Sequence, residues 1–432
     1  MAEETVAVGL MGLGTVGGGV VRLLAANQEK IRQKLGVAVE ISKILVRDPS
    51  KPRQVEVARG LLAVDPADIL EDDRIAVVVE LMGGLHPARE YISRALARGK
   101  SVVTANKDVL AVYGPELYAL AGEHRVDLLF EASVGGGIPV IHPIREGLAG
   151  NRLYEVMGVV NGTTNFILTR MSAGGQDFHA ALAEAQALGY AEADPRADVG
   201  GDDAARKIAI LASIAFDTIV TYDDVYVEGI TGVTPADIAY GNELGYTLKL
   251  LAIARQVEGE VEARVHPAFL PQGHPLAAVN DVFNAIFVRG DAVGQTMFYG
   301  PGAGQMPTAS AVVGDIVEAV ANIRHGSCSR ISYPGADRRP IRPMGDVRCK
   351  YYLRLTVQDQ PGVLARIAGV FGDHGVSLAS VIQKKTVDGL AELVLVTHEV
   401  KEEDFRRALS VIAGLPVVRR IENAIRVEEE WQ

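Results

Sequence analysis

A glycine-rich turn near the start of the chain has the residue types and spacing of a phosphate-binding loop. It follows the apolar run Val6–Leu10, precedes an apolar helical pattern, and consists of Gly12, Leu13, Gly14, Thr15, Val16 and Gly17. In such a turn one glycine makes the bend, the next lets a pyrophosphate approach bare backbone, and the third lets the helix pack closely on the strand. The unpaired N–H groups at the start of that helix suit phosphate groups. The turn therefore predicts dinucleotide binding, with a ligand-free glycine turn as the alternative.

The residues after the second predicted strand indicate which dinucleotide would be bound. An Asp or Glu at this position bonds the ribose 2′-hydroxyl and rejects a 2′-phosphate. Here Arg47 comes first, Asp48 follows it directly, and Lys51 and Arg53 are close behind. The cations favour NADP over NAD, while Asp48 keeps NAD open as the alternative.

Two lysines have neighbours that fit a proton-donating role. Lys207 follows Asp203 by four residues, so both lie on one face of a predicted helix, where the carboxylate can orient the ammonium and shift its pKa. A solvated ion pair is the commoner meaning of this spacing, although the apolar run Ile208–Leu211 implies a largely buried helix. Lys107 ends the string TANK, directly after a predicted strand. It could lie beside a cofactor or be a surface lysine in a loop.

The composition excludes several classes of function. The chain has 432 residues, a formal net charge of −11 and no basic run, so a nucleic-acid partner is not expected. Its two cysteines, Cys328 and Cys349, lack the spacing of a zinc site. No stretch reaches the roughly 20 apolar residues of a membrane helix, and the N-terminus lacks a signal-peptide pattern. We therefore expect a cytoplasmic protein of roughly two to four domains that binds neither nucleic acid nor a membrane.

Residues 1–150 alternate strand and helix patterns, which predicts a doubly wound parallel sheet in a dinucleotide-binding domain. The predicted strands are Val6–Leu10, Val39–Val46, Ala76–Leu81, Ser101–Thr104 and Asp127–Phe130, and predicted helices include Ala88–Ala97 and Glu116–His124. Three loops follow strand ends, namely Gly83–Gly84, Thr104–Lys107 and Ser133–Gly137. Because ligands collect at the carboxyl edge of such a sheet, these loops are expected to surround one cofactor.

Residues 151–307 change to a mixed pattern, which predicts a separate α/β domain for substrate binding, catalysis and dimerisation. The predicted helices are Thr164–Met171, Phe178–Leu188, Asp203–Ala215 and Pro235–Asn242, and the predicted strands are Lys249–Gln256, Val282–Val288 and Gln295–Phe298. The segment 308–325, with a helix at Thr308–Ile323, is expected to pack back on the first domain.

The stretch 331–347 is rich in proline, arginine and glycine and is predicted to be a linker. The remaining residues, 348–432, show the order of a ferredoxin-like βαββαβ unit. Its predicted elements are a strand (Tyr351–Val357), a helix (Val363–Gly372), two strands (Val376–Gln383, Leu390–His398), a helix (Lys401–Gly414) and a strand (Val417–Val427).

Six segments together resemble the homoserine dehydrogenases over about residues 5–325. They are the N-terminal turn, TANKDVLA at 104–111, EASVGGGIPV at 131–140, VVNGTTNFILTRM at 159–171, GYAEADPRADVGGDDAARKIAIL at 189–211 and YGPGAGQMPTASAVVGDI at 299–316. The string VQDQPGVLARIAGVFGDHGVSLASV at 357–381 resembles an ACT domain. The resemblance implies a Rossmann-type sheet, a mixed catalytic and dimerisation domain and an ACT domain. It also implies the reversible NAD(P)H-dependent reduction of L-aspartate 4-semialdehyde to L-homoserine in threonine, methionine and isoleucine biosynthesis.

The resemblance gives Lys207 the role of general acid, with Asp203 beside it. Lys107 is expected to bind substrate or cofactor, and a part in proton transfer stays open. Glu192 is expected to accept the substrate ammonium, with Asp198 as a further acidic neighbour. A solvated acidic loop is the alternative for both acids.

Three further segments would hold polar groups of substrate or cofactor. Asn161, Gly162 and Thr163 have small polar groups at a predicted helix start, for which plain helix capping is the alternative. Thr104, Gly302 and Gly304 are expected to approach the cofactor, with a simple turn as the alternative for the two glycines.

The segment EASVGGGIPV is expected to bind a monovalent cation, Na⁺ or K⁺, through oxygen atoms. The proposed ligands are the main-chain carbonyls of Val134, Gly136 and Ile138, joined by Glu131. A tight turn beside the cofactor explains the glycines equally well.

The ACT resemblance implies a regulatory amino acid, and threonine is the expected effector. The segment Asp359–Gly362 opens a helix where an effector could meet backbone N–H groups. An oligomerising module is the alternative, and we expect a homodimer or homotetramer in either case. Two rival functions are a catalytically silent nucleotide sensor and a dehydrogenase for another small oxo acid.

Overall fold

The structure, a computed structural model, describes residues 4–328 and 338–429. The part 331–337 of the predicted linker therefore lies outside the described residues. None of the described helices is long and apolar enough to cross a membrane.

Strands and helices alternate through the first third of the chain. In chain order they are β1 (Thr5–Met11), α1 (Thr15–Leu35), β2 (Ala38–Leu45), β3 (Leu62–Ala63), α2 (Ala67–Leu70), β4 (Ile75–Glu80), α3 (Ala88–Ala97), β5 (Ser101–Thr104), α4 (Lys107–His124) and β6 (Leu128–Leu129).

The middle of the chain contains longer strands and most of the remaining helices. The elements are β7 (Leu153–Val159), α5 (Gly162–Gly174), α6 (Phe178–Ala187), α7 (Arg196–Val199), α8 (Asp202–Ala215), β8 (Tyr226–Val227), α9 (Pro235–Glu243), β9 (Tyr246–Val257), β10 (Glu260–Pro271), β11 (Phe283–Gly290), β12 (Gly294–Pro301) and α10 (Gln305–Arg324). The last part has β13 (Arg348–Gln358), α11 (Val363–Asp373), β14 (Leu378–Val387), β15 (Leu390–Thr397), β16 (Val400–Lys401), α12 (Glu402–Ala413) and β17 (Val418–Val427).

The contacts divide the chain into two compact units. The first unit contains Met1–Val156, Arg206–Asp224 and Asn284–Arg339, and the second contains Met157–Ala205, Val225–Phe283 and Pro340–Gln432. The domain boundaries drawn from the sequence stay a prediction, because a division by contacts does not test them.

The first unit is built on a parallel sheet with the strand order β3-β2-β1-β4-β5-β6. The order reverses between β1 and β4, and ligands bind outside the carboxyl ends of the strands at such a point. Apolar residues of the inner strands, such as Val8, Leu10 and Val77, are at most 1% exposed. The predicted doubly wound fold is therefore confirmed.

Helix α10 packs against α1 within the first unit. A Cβ atom on Gly19 of α1 would lie 2.8 Å from the carbonyl oxygen of Gln305 and 2.9 Å from the side chain of Ala309. The absence of a side chain at Gly19 thus lets the two helices approach closely, which places the start of α10 beside the glycine turn.

In the second unit the strands follow the order β9-β10-β17-β13-β15-β14, and β8 pairs with β10. Strands β13, β14, β15 and β17 with helices α11 and α12 form the predicted βαββαβ unit, to which the structure adds the short strand β16. Strand β17 pairs in parallel with β10, Ala268 opposite Arg426. The ferredoxin-like unit is therefore joined edge to edge to the β9–β10 hairpin.

Several elements differ from the sequence expectations, among them two long strands and one helix start. Strand β10 was not expected, because it carries Glu262, Arg264 and His266 at positions that are at most 5% exposed. Strand β7 was also not expected, and α4 begins at Lys107 rather than Glu116. Charged residues inside β10 hide the apolar pattern by which a buried strand is normally found.

Candidate active site

The glycine turn joins β1 to α1 and has the conformation that its spacing predicts. Gly12 has φ +104°, a region that favours glycine, and a Cβ atom on Gly17 would lie 2.2 Å from the carbonyl oxygen of Gly12. Gly14 precedes the first helical residue, and no atom lies within 4 Å of the place where its Cβ would be. The start of α1 is thus bare backbone facing open space, as phosphate binding requires.

A cavity of about 880 Å³ lies in front of this turn, within the first unit. Its lining comes from the glycine turn, the loop after β2, the loop after β4 and the start of α10; it includes Gly12, Leu13, Gly14, Thr15, Arg47, Asp48, Lys51, Met82, Gly83 and Gln305. Val16 and Gly17 of the turn are not among the lining residues. The cavity lies at the reversal of strand order and is large enough for a cofactor.

The loop after β2 presents cations to this cavity. Arg47 and Lys51 are exposed, while the Arg53 guanidinium donates to the carbonyl oxygens of Pro49 and Lys51 at 3.2 and 2.8 Å. The Asp48 carboxylate accepts hydrogen bonds from the hydroxyl and amide of Ser50 at 2.6 and 2.8 Å, which lower the pKa of Asp48. Asp48 therefore helps to fold the loop, and Arg47 and Lys51 are the exposed cations on the cavity wall.

A buried carboxylate orders the loops after β4 and β5. Glu80, fully buried at the end of β4, accepts a hydrogen bond from the Met82 amide at 2.7 Å and another from the Thr104 hydroxyl at 2.7 Å. Thr104 in turn accepts from the Asn106 amide at 3.0 Å, and the Asn106 side chain caps α4. Burial raises the pKa of Glu80. The Thr104 hydroxyl is thus engaged in hydrogen bonds within the protein. The Asn106 cap fixes Lys107 as the first residue of α4.

An ion pair connects the start of α4 with α8 inside the first unit. The Arg206 guanidinium lies 3.1 Å from the Asp108 carboxylate and 4.6 Å from the centre of the Tyr222 ring. Arg206 precedes Lys207, and Asp108 follows Lys107. The two lysines singled out from the sequence therefore belong to chain segments that are in direct contact. Lys207 is half-buried, and the next residues of α8, Ile208–Leu211, are at most 2% exposed.

In the second unit, one asparagine holds two of the predicted substrate-binding acids. The Asn161 amide nitrogen donates to Asp198 at 2.7 Å and to Asp203 at 2.8 Å, while its oxygen accepts from the Thr164 amide at 2.9 Å and so caps α5. Asn161 is thus both a helix cap and a positioning group. The two carboxylates are brought together, and Asp203 is four residues from Lys207 on α8.

The other predicted substrate residues differ in how accessible they are. Glu192 is exposed, so its carboxylate can reach a ligand. Thr163 is buried and its hydroxyl donates to the Tyr190 carbonyl at 2.7 Å. Gly162 lies so close to Val282 that a Cβ would be 2.9 Å from that residue's carbonyl oxygen. The Thr163 hydroxyl and the Gly162 backbone therefore make contacts within the protein at the start of α5.

The segment after β6 contacts the loop before α10 within the first unit. A Cβ on Gly136 would lie 2.4 Å from the Gly302 carbonyl oxygen, and one on Gly302 would lie 2.1 Å from the side chain of Asn284. Gly304 has φ +124° and precedes the first residue of α10. These glycines let two loops meet at the carboxyl edge of the sheet.

At the expected cation site, the Glu131 side chain already makes hydrogen bonds within the protein. The Glu131 carboxylate accepts hydrogen bonds from the amides of Val140, Ile141 and His142 and from the His142 ring. Glu131 would therefore bind Na⁺ or K⁺ through its main-chain carbonyl oxygen and not through its carboxylate.

Two site residues were missed in the sequence. Glu80 is signalled only by an acid at the end of an apolar strand, and Gln305 only by its place directly after Gly304. The Gln305 amide donates to the Thr15 carbonyl at 2.9 Å and lines the cavity. It reaches this place because α10 packs on α1, a contact between segments about 290 residues apart.

Comparison with known families agrees with this architecture. Residues 12–131 match the family "Homoserine dehydrogenase, NAD binding domain", residues 139–317 match "Homoserine dehydrogenase", and residues 351–417 match "ACT domain".

Relatives and solved structures are similar along the whole chain. The chain is 48% identical to the homoserine dehydrogenase of Synechocystis sp. and 44% identical to that of Bacillus subtilis, covering 98% of this chain and 99% of each relative. A crystal structure of a homoserine dehydrogenase from Thiobacillus denitrificans superposes with a TM-score of 0.94 at 43% identity, over 99% of both chains. A hyperthermophilic archaeal homoserine dehydrogenase in complex with NADPH gives a TM-score of 0.62 at 30% identity, over 73% of this chain and 97% of that chain.

Proposed function

The chain belongs to the homoserine dehydrogenase family and is an NAD(P)-dependent oxidoreductase, and on that premise we propose how its residues carry out the reaction. The reaction interconverts L-aspartate 4-semialdehyde and L-homoserine. The observation that carries the assignment is identity of 44–48% to curated homoserine dehydrogenases over nearly the full chain, with the glycine turn, Lys107 and Lys207 all present.

The proposed general acid is Lys207. Reduction of an aldehyde requires a hydride on carbon, which the bound nicotinamide supplies, and a proton on oxygen. The Lys207 ammonium gives its proton to that oxygen and stabilises the negative charge that develops there. Asp203, one helical turn earlier, orients the ammonium. In the reverse direction the neutral amine takes the proton back from the alcohol.

Lys107 and the acidic residues are proposed to bind the substrate. Glu192 accepts the substrate ammonium, because its carboxylate is exposed. Asn161 holds Asp198 and Asp203 in fixed orientations, so these carboxylates are preorganised. Lys107 contacts the substrate carboxylate or the cofactor, and the fixed start of α4 determines where its side chain begins.

For the cofactor we propose NADP. Arg47 and Lys51 offer charge to a 2′-phosphate, whereas the Asp48 carboxylate is occupied by Ser50. The glycine turn binds the pyrophosphate, and Gln305 and Gly83 line the remainder of the cavity. A monovalent cation bound by carbonyls of Glu131, Val134, Gly136 and Ile138 is part of the same proposal, since this segment contacts the loop at Gly302.

Regulation is proposed to act through the ACT domain. Its first helix, α11, begins after the exposed segment Asp359–Gly362, where an amino acid could bind the Asp359 carboxylate and N–H groups in the first turn of α11. Threonine, an end product of the pathway, is the proposed effector. A dimer or tetramer is proposed because β12 is an edge strand with the exposed apolar side chains Met297 and Tyr299.

The proposed reaction is tested by following NADPH consumption with L-aspartate 4-semialdehyde. We expect turnover with this aldehyde, and the reverse reaction with L-homoserine and NADP⁺. A protein that binds NADPH without turnover would be the nucleotide sensor, and one that prefers another small oxo acid would be a different dehydrogenase. Either result would contradict the proposal.

A further inference from the structure

A second cluster of ionisable side chains in the first unit has no part in the proposed reaction. His142 and Glu146 lie four residues apart on the helical turn at residues 141–147, and Glu318 lies on α10. One ligand atom from each of these three residues lies within 4.8 Å of the others. All three side chains are partly buried. An imidazole nitrogen and two carboxylate oxygens in this arrangement match the ligand sets of divalent transition metals.

The histidine is oriented from behind by another carboxylate. His142 Nδ1 lies 2.6 Å from Glu131 Oε2, and the same oxygen accepts from the His142 amide at 2.8 Å. A hydrogen bond at Nδ1 directs Nε2 toward Glu318, with which it is in contact. Metal-bound histidines almost always donate their second ring N–H to such a carboxylate, which fixes the ring and makes it a stronger ligand.

Two polar atoms beside this cluster lack a hydrogen-bond partner among the described residues. Asp315 is fully buried, and its Oδ2 accepts from the Glu131 amide at 2.9 Å. Among the described residues its Oδ1 has no hydrogen-bond partner, although it lies 3.8 Å from His142 Nδ1. His142 Nε2 is also buried and makes no well-aligned hydrogen bond within the described part of the chain. The carboxyl groups of Glu131, Asp315, Glu146 and Glu318 thus lie around one imidazole; those of Glu131 and Asp315 are buried, where a negative charge is unfavourable without a compensating partner.

We infer that His142, Glu146 and Glu318 form a site for a divalent cation of the Zn²⁺ type, with Glu131 as the partner that orients the histidine. The imidazole nitrogen favours Zn²⁺ over Mg²⁺, which prefers oxygen ligands alone. Three protein ligands leave one position for water. The alternative is a protonated histidine that is simply paired with its carboxylates.

The site would brace the segment that follows β6. Glu131 holds the amides of Val140–His142, and Gly136 of the same segment contacts Gly302 in the loop before α10. A cation joining residues 142 and 146 to Glu318 would fix that segment to α10. Its role is therefore structural and distinct from hydride transfer.

The test is titration of the full-length, tag-free, metal-free protein with Zn²⁺ by calorimetry. We expect one Zn²⁺ per chain. Glu146→Gln and Glu318→Gln should each weaken binding at least about tenfold, as should Glu131→Gln, which keeps all three ligands. Glu123→Gln and His124→Asn alter exposed residues outside the cluster and should bind as the parent does. Equal affinity in all variants, no binding by the parent, or tighter binding of Mg²⁺ than of Zn²⁺ would overturn the site.

Discussion

At the scale of single residues, the contacts of a polar side chain decide whether it is available to a ligand. Asp48 is held by Ser50, Thr104 by Glu80, and Thr163 by the Tyr190 carbonyl, so these groups stabilise loops. Arg47 and Glu192 are exposed instead. The same residue types therefore divide into groups that shape the site and groups that can contact substrate or cofactor.

Replacement of Lys207 by alanine should lower kcat by about a hundredfold or more, because a lost general acid typically costs that much. The measurement is the rate of NADPH oxidation at saturating substrate. Lys30→Ala, an exposed lysine on α1, is the control and should leave kcat unchanged. Near-normal turnover of the Lys207 variant would remove this residue from the mechanism.

Replacement of Arg47 by aspartate should shift the preference from NADP toward NAD. The new carboxylate repels a 2′-phosphate and can bond a ribose hydroxyl. The ratio of kcat/KM for the two cofactors measures the shift, and we expect a change of at least about tenfold, equivalent to about 1.4 kcal/mol. Arg22→Asp on the exposed side of α1 has the same change of charge and should leave the ratio unaltered. An unchanged ratio in both variants would mean that another group recognises the phosphate.

At the scale of elements, helix starts position most of the candidate site. The first turns of α1, α4, α5 and α10 carry the glycine turn, Lys107, the Asn161 cap and Gln305, respectively. In the first unit the starts of α1, α4 and α10 each follow a strand or a loop at a strand end, and in the second unit the start of α5 follows β7. The capping side chain Asn161 differs from an ordinary cap because its amide also binds Asp198 and Asp203.

The Asn161→Ala variant should lose both stability and activity. Loss of the cap costs about 1 kcal/mol of unfolding free energy. Release of the two carboxylates should lower kcat/KM by about a hundredfold, since misplacement of a binding group has effects of that order. Asp177→Ala removes the corresponding cap of α6, where Asp177 accepts from the Ala180 amide at 2.9 Å. That control should show the loss of stability without the loss of activity, and equal activity in both variants would reduce Asn161 to a cap.

At the scale of the whole molecule, buried charges join the ACT domain to the β9–β10 hairpin in the second unit. Glu428 lies 3.0 Å from Arg255 and also contacts Arg264, and all three are at most 3% exposed. On the other side of the domain, Arg354 of β13 lies 2.7 Å from Asp237 of α9. The ACT domain is thus fixed to the hairpin and to α9 by buried ion pairs, and removing one partner of such a pair leaves a buried charge uncompensated.

The Glu428→Gln variant should lower the unfolding free energy by about 3 kcal/mol, because two buried arginines lose their counter-charge. Glu429→Gln is the control: Glu429 pairs with Lys350 and is itself 37% exposed, so the loss should stay below about 1 kcal/mol. Denaturant unfolding measures both. Equal stability of the two variants would contradict the importance of the buried cluster.

Lowering the pH should remove the stabilisation that the Glu428 carboxylate provides. The arginines lower the pKa of Glu428, although burial alone would raise it. A carboxylate with a depressed folded-state pKa stabilises the protein above the unfolded-state pKa of about 4.3, and this stability is lost as the pH falls below that value. The parent should therefore lose stability below about pH 4 more steeply than Glu428→Gln does.

Asp359→Ala should weaken inhibition by threonine without changing basal turnover. If the effector's ammonium binds this exposed carboxylate at the start of α11, the concentration for half-inhibition should rise at least about tenfold. Asp373→Ala, at the other end of α11, is the control. Unchanged inhibition in the Asp359 variant would place the effector elsewhere, and absence of threonine inhibition in the parent would favour a purely oligomerising domain.

The sequence by itself determined the features that depend on neighbouring residues. The bend at Gly12, the close approach at Gly17, the four-residue spacing of Asp203 and Lys207, and the order of the ACT elements all follow from local backbone geometry and side-chain period. The same local patterns identified the family, because its motifs are continuous strings of residues.

Only the tertiary structure decided how distant charges are paired. Strand β10 was missed because Arg264 is buried against Glu428, which is 164 residues away. The sequence records each of these groups as a charge that should face water. Burial becomes possible only when folding brings the opposite charge within hydrogen-bond distance, and no local pattern encodes which distant residue that will be.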